Sequence, residues 1–174
     1  KMDETLGRPM LNYSDDFVRL TAWISMEGSY RTDDNTIMLC QSMKHNPQYV
    51  EFIDQLLKHS PCLISRHSFP SNPDMVVWKI GYELATMIRK VMPNKYPSSD
   101  YILSMTNTQR RSYIYESIRG DGSMGRGECG PIPDQNVIVR NRDIFCNRSM
   151  TPRIFQKKTG SLDALQMISS LIGL

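Results

Sequence analysis

The chain has 174 residues, 40% of them hydrophobic, with 21 Lys and Arg against 18 Asp and Glu for a net charge of +3. That length can bury a real core as one domain or two small joined halves. So mild a basic excess neither requires nor excludes nucleic acid. No apolar run approaches the ~20 residues of a membrane span, and the charged opening lacks a secretory stretch.

Cys40, Cys62, Cys129 and Cys146 are widely spaced with no CxxC pair, which argues against structural zinc. They are expected to be reduced thiols in an intracellular protein. The chain begins at Lys1, which suggests an excerpt of something longer.

In chain order, Lys1–Tyr13 is a lead-in. Ser14 or Asp15 can cap a helix by satisfying its orphan N–H groups. Phe17, Leu20, Trp23 and Ile24 fall at helical spacing, and Gly28 is expected to end the helix in the left-handed conformation. Ser29–Arg31 and Thr36–Met43 are candidate strands around the turn cluster Thr32–Asn35. Asn46-Pro47 opens a second helix, with Tyr49, Phe52, Ile53, Leu56 and Leu57 on its buried face. Cys62–His67 and Met75–Gly81 are strand-like around a Pro/Asn loop at Phe69–Asp74. Tyr82–Met92 is a helix stopped by Pro93. The first half is thus αββαββα.

Asn94–Asp100 is the candidate linker. A second long helix is predicted over Thr106–Ile118, followed by a glycine-rich loop at Gly120–Gly130. Val137–Cys146 is strand-like, Thr151–Phe155 is a short return strand, and Ser161 caps a last helix with Leu162, Leu165, Ile168 and Ile172 on one face. The second half repeats αββα and then stops. The expected division is a first half at 1–93, a linker and helix start at 94–105, and a second, truncated half at 106–174.

The two long helices end alike. Leu20–Gly28 reads LTAWISMEG and Ile114–Gly122 reads IYESIRGDG, so Glu27-Gly28 is echoed by Asp121-Gly122 94 residues later. Paired carboxylates can hold a divalent ion, which activates water and stabilises a leaving oxygen. Mg²⁺ needs only one or two of them because it keeps several waters. A carboxylate at a helix C-terminus also faces the negative end of the dipole, which a cation offsets. The plain alternative is a solvated acid at each helix end. Small residues suited to a close helix crossing are Ala22 and Ser25 in one copy, and Ser117 and Gly120 in the other. Arg119 is expected to pair with one of the acids or to displace a metal.

LTAWISMEG resembles the LAGLIDADG motif of homing endonucleases: it aligns without a gap, keeps Leu20, Ile24 and Gly28, and has Glu27 for the final Asp. IYESIRGDG is a weaker copy that keeps Asp121 and Gly122. The resemblance implies an α+β, pseudo-twofold protein of two αββαββα halves with curved antiparallel sheets, the second half incomplete here. It implies a monomeric, intein- or intron-associated nuclease with its motif helices packed side by side, gripping the major groove of double-stranded DNA. Glu27 and Asp121 are then the catalytic, metal-holding acids for Mg²⁺ or Mn²⁺, with the main-chain carbonyls of Met26 and Gly120 completing the coordination. By the same resemblance, Lys79 organises the water or polarises the phosphate.

Base readout needs Arg, Lys, Asn or Gln on a strand face. Arg31, Gln41, Lys44, Arg66, Arg140, Arg142 and Arg148 lie on or beside predicted strands and are the candidate DNA contacts. Two other classes stay open: a relative that binds DNA or RNA without cutting, such as a maturase or regulator, and an accessory domain of a larger enzyme.

Overall fold

The computed structural model describes residues 2–3, 8–9, 13–58, 62–124, 152–154 and 159–173. It is a mixed α+β molecule. The lead-in carries two short paired strands, β1 (Met2–Asp3) and β2 (Arg8–Pro9). There follow α1 (Asp15–Glu27), β3 (Gly28–Tyr30), β4 (Ile37–Ser42), α2 (Pro47–Lys58), β5 (Leu63–Phe69), β6 (Asn72–Ile80) and α3 (Tyr82–Val91). This is the αββαββα order expected of the first half. Beyond it come α4 (Ser99–Ser104), α5 (Asn107–Asp121), β7 (Gly122–Met124), β8 (Pro152–Ile154) and α6 (Thr159–Leu171).

Ser14 caps α1, its hydroxyl accepting from the Phe17 N–H at 3.2 Å. The helix ends at Gly28 for a different reason from the one expected. Gly28 is extended, at φ −79° and ψ 157°, so no left-handed turn is involved. A Cβ on Gly28 would stand 2.6 Å from the Ile24 carbonyl oxygen, so the chain leaves the helix through a gap that only glycine fits. It then passes directly into β3.

β3, β4, β6 and β5 form one antiparallel sheet in that order. Ile37, Leu39 and Gln41 of β4 lie opposite Ile80, Trp78 and Val76 of β6. All six are buried, and because side chains alternate they line one face. Met38, Cys40 and Ser42 lie opposite Lys79, Val77 and Met75 on the other face. The predicted Pro/Asn loop is shorter than expected: β5 and β6 extend into it as a hairpin.

The linker is also more than a connector. Its second part is α4, capped by Ser98, with Tyr101 and Ile102 buried in the core. The Tyr101 hydroxyl lies 2.9 Å from Thr21 Oγ1 of α1. One apolar cluster joins α1, α2, the sheet, α3, α4, α5 and α6.

The segment expected to be glycine loop starts with a strand. β7 begins on Gly122, directly after α5, and pairs with β8 through Gly122–Ile154, Ser123–Arg153 and Met124–Pro152. Both motif helices therefore run into a strand that opens on the motif glycine. The predicted strand Val137–Cys146, with Arg140, Arg142 and Arg148, lies outside the described residues, as do Cys129 and Cys146. Among the described residues no helix is long and apolar enough to cross a membrane.

Candidate functional site

α1 and α5 are the central pair. From Leu20 to Met26 every residue of α1 is buried, and so is every residue of α5 from Ser112 to Ile118. Over these stretches each helix is enclosed on all sides.

Three contacts tie the pair along its length. At the start, Gln109 Nε2 donates to the Tyr13 carbonyl at 2.8 Å and to Asp15 Oδ1 at 3.0 Å. In the middle, Trp23 Nε1 donates to Glu116 Oε2 at 3.0 Å. At the end, Gly120 lies against Met26, where an added Cβ would stand 2.9 Å from Met26 Cβ. Asp15 and Gln109 are 94 positions apart, and Trp23 and Glu116 are 93 apart. A near-constant offset means two parallel helices in register. Their last residues, Glu27 and Asp121, therefore finish at the same end of the pair.

Ala22, Ser25 and Ser117 are buried along this pair, as the small-residue pattern predicted. Glu27 is half-buried. Its charge, after burial itself, helps push the Cys40 thiol pKa upward. Asp121 closes α5 in backbone, and its side chain lies outside the described residues.

Arg119 pairs with a third acid, Glu116. Its Nη1 reaches Glu116 Oε2 at 3.0 Å and Oε1 at 3.3 Å. Its guanidinium carbon lies 4.5 Å from the Phe52 ring centre, 4.9 Å from Tyr49, 5.5 Å from Tyr115 and 5.9 Å from Trp23. This aromatic enclosure holds a cation well and turns it into the core. Glu116 is only 1% exposed. Burial raises its pKa, while Arg119, Trp23 and Arg19 pull it back down.

The Met26 carbonyl, an expected metal ligand, accepts from Lys95 Nζ at 3.2 Å. Gly120, the other expected carbonyl ligand, has a visible packing role against Met26. Among the described residues no three His, Cys, Asp or Glu converge as a metal cluster. The carboxylate described at this end, that of Glu27, is the kind of oxygen donor that suits an ion retaining its waters.

Lys79 lies two strands from β3, in the row Ser29–Met38–Lys79. Its ammonium pairs with Asp34 Oδ2 at 2.7 Å. That hydrogen bond, with those from Thr36, holds the Asp34 carboxyl well below the usual carboxylate range.

The candidate DNA contacts divide. Arg31 and Lys44 are exposed, Arg31 with a two-pronged grip on Asp33 at 2.8 and 3.2 Å. Gln41 faces the core, 7% exposed. Its Oε1 accepts from Ser42 N at 2.9 Å and Asn46 Nδ2 at 3.0 Å. Arg66 pairs with Trp78 in register, and both donate to Asp54 Oδ1 of α2, at 2.7 and 2.8 Å. Gln41 is thus held on the core side of the sheet, whereas Arg66 stays exposed with its Nε on Asp54.

Sequence reasoning missed Lys95, Glu116 as a buried partner, and Asp34. Glu116 carried a faint signal as an acid amid small and apolar positions. Lys95 carried none, since its contact spans 69 residues. No protein-family model and no curated protein sequence matches the chain.

Proposed function

We propose that this protein is a site-specific, divalent-metal-dependent double-strand DNA endonuclease of the LAGLIDADG type. The observation that carries the proposal is the in-register pairing of α1 and α5, which brings the motif acids Glu27 and Asp121 to one end of a shared helical pair. Each helix then opens into a strand that begins on the motif glycine.

Bound Mg²⁺ or Mn²⁺ would supply an activated water and offset charge on the leaving oxygen. Glu27 and Asp121 hold the ion and fix its place relative to the helix ends. The tight Met26–Gly120 contact sets the spacing between the two acids. Arg31 and Lys44 offer exposed charge to backbone phosphates. The protein works as a monomer, the two halves each addressing one side of a duplex.

The test is incubation with a long randomised duplex library, with and without Mg²⁺, beside Glu27→Gln and Asp121→Asn. Defined cut ends that need Mg²⁺ and both acids support the proposal. Retention of DNA without any cut ends sinks it in favour of a binding protein. That second reading, a relative that binds DNA or RNA without cutting, is favoured by one observation: the ammonium already on the Met26 carbonyl. The salt dependence of binding distinguishes either from an accessory domain, since phosphate contacts impose a steep slope.

A further inference from the structure

We propose that Lys95 is a resident cation of the site, holding a place at the end of α1 that a divalent ion would otherwise share, and so setting how tightly the site takes metal. This rests on the metal-site reading of Glu27 and Asp121.

A helix C-terminus favours a cation, yet the last turn of α1 contains no basic residue. Lys95 supplies that charge from the segment between α3 and α4, with its Nζ 3.2 Å from the Met26 carbonyl. The group is half-buried, so its charge is less screened than a surface lysine's.

Its backbone supports the same reading. Lys95 has φ +70°, and among the described residues only Asn35, at +51°, is another non-glycine in that region. Asn tolerates such a conformation in turns; lysine does so only where its surroundings hold it. They do here. Lys95 N–H donates to the Met92 carbonyl at 3.2 Å, and Ser98 N–H to the Val91 carbonyl at 2.9 Å. The Met92 carbonyl also accepts from the Tyr30 hydroxyl at 2.7 Å, tying this segment to β3. The lysine expected from the sequence, Lys79, is committed to Asp34. An ammonium one residue before Glu27 repels any ion that Glu27 binds.

The measurement is Mn²⁺ affinity by electron paramagnetic resonance on the full chain and on Lys95→Met, Lys95→Gly and Lys95→Arg. Lys95→Gly suits the left-handed backbone and keeps the test open if Lys95→Met misfolds. Lys95→Met and Lys95→Gly should bind Mn²⁺ at least about tenfold more tightly than the native chain, and Lys95→Arg about as weakly as it. Adding Glu27→Gln should remove the gain. Unchanged or weaker binding, a gain that survives Glu27→Gln, or no Mn²⁺ binding by any variant overturns the proposal. Cleavage by a native chain whose Mn²⁺ affinity ignores Lys95 sinks this inference alone. A gain in affinity with no cleavage by any variant sinks the nuclease and leaves Lys95 in its role.

Discussion

Gly120 faces Met26 across the α1–α5 interface with room for a hydrogen and nothing larger: a Cβ there would stand 2.9 Å from Met26 Cβ and 3.2 Å from Met26 Cγ. Gly120→Ala should improve helix propensity by about 0.8–1 kcal/mol. Overpacking against a Cβ that cannot swing aside should cost about 1–3 kcal/mol. The net expectation is a modest loss of stability in urea unfolding and, on the proposed nuclease reading, a larger loss of cleavage because the acids are pushed apart. A variant more stable than the native chain would show that the helices can separate freely.

Arg119 and Glu116 form a pair shut in among rings. Removing one partner strands the other, so Arg119→Met should cost about 3–5 kcal/mol. Glu116→Gln/Arg119→Met should recover much of that, since both charges are then gone. Equal losses for the single and double variants would count against a coupled pair; calorimetric or urea unfolding of all four chains decides it.

Glu116 also predicts a dependence on pH. Its folded pKa is raised above the ordinary 4.5, so the folded state holds the proton more tightly than the unfolded one. Stability then falls as pH climbs from the ordinary carboxylate range through the raised value, and levels off above it. Asp33 and Asp34, with lowered values, act in the opposite direction, losing stability as pH drops through their folded values. The difference between native and Glu116→Gln across acid pH isolates the effect. Native should gain relative to the variant on acidification; a flat difference would contradict the burial argument.

Gln41 separates structure from readout. Its side chain bridges Ser42 N and Asn46 Nδ2 beneath the sheet. Gln41→Ala should cost about 1–3 kcal/mol through the groups it leaves unpaired. The slope of DNA affinity against salt should not change, whereas Lys44→Ala should reduce it if Lys44 meets a phosphate. A changed base preference in folded Gln41→Ala would restore it as a reader.

Much of the architecture was legible because it is written locally. Ser14, Pro47 and Pro93 mark helix ends by their own chemistry. Gln41 could have been placed as well, being in phase with Ile37 and Leu39. Arg66 could not, because β5 slips register between Leu63 and Ser65, and a slip changes which face a side chain takes. The strand at Gly122 was hidden by glycines that look like loop, though the parallel with Gly28 pointed to it.

The sequence by itself determined the first half's order of helices and strands, and the repeat that pairs Glu27 with Asp121, since periodicity, caps and spacing are properties of neighbouring residues. Only the tertiary structure decided where the charges went: Arg119 into an aromatic enclosure, Lys79 onto Asp34, Lys95 onto the Met26 carbonyl. Each of those choices balances burial against available partners brought together by folding, and no local pattern encodes which distant group will be there to receive a charge.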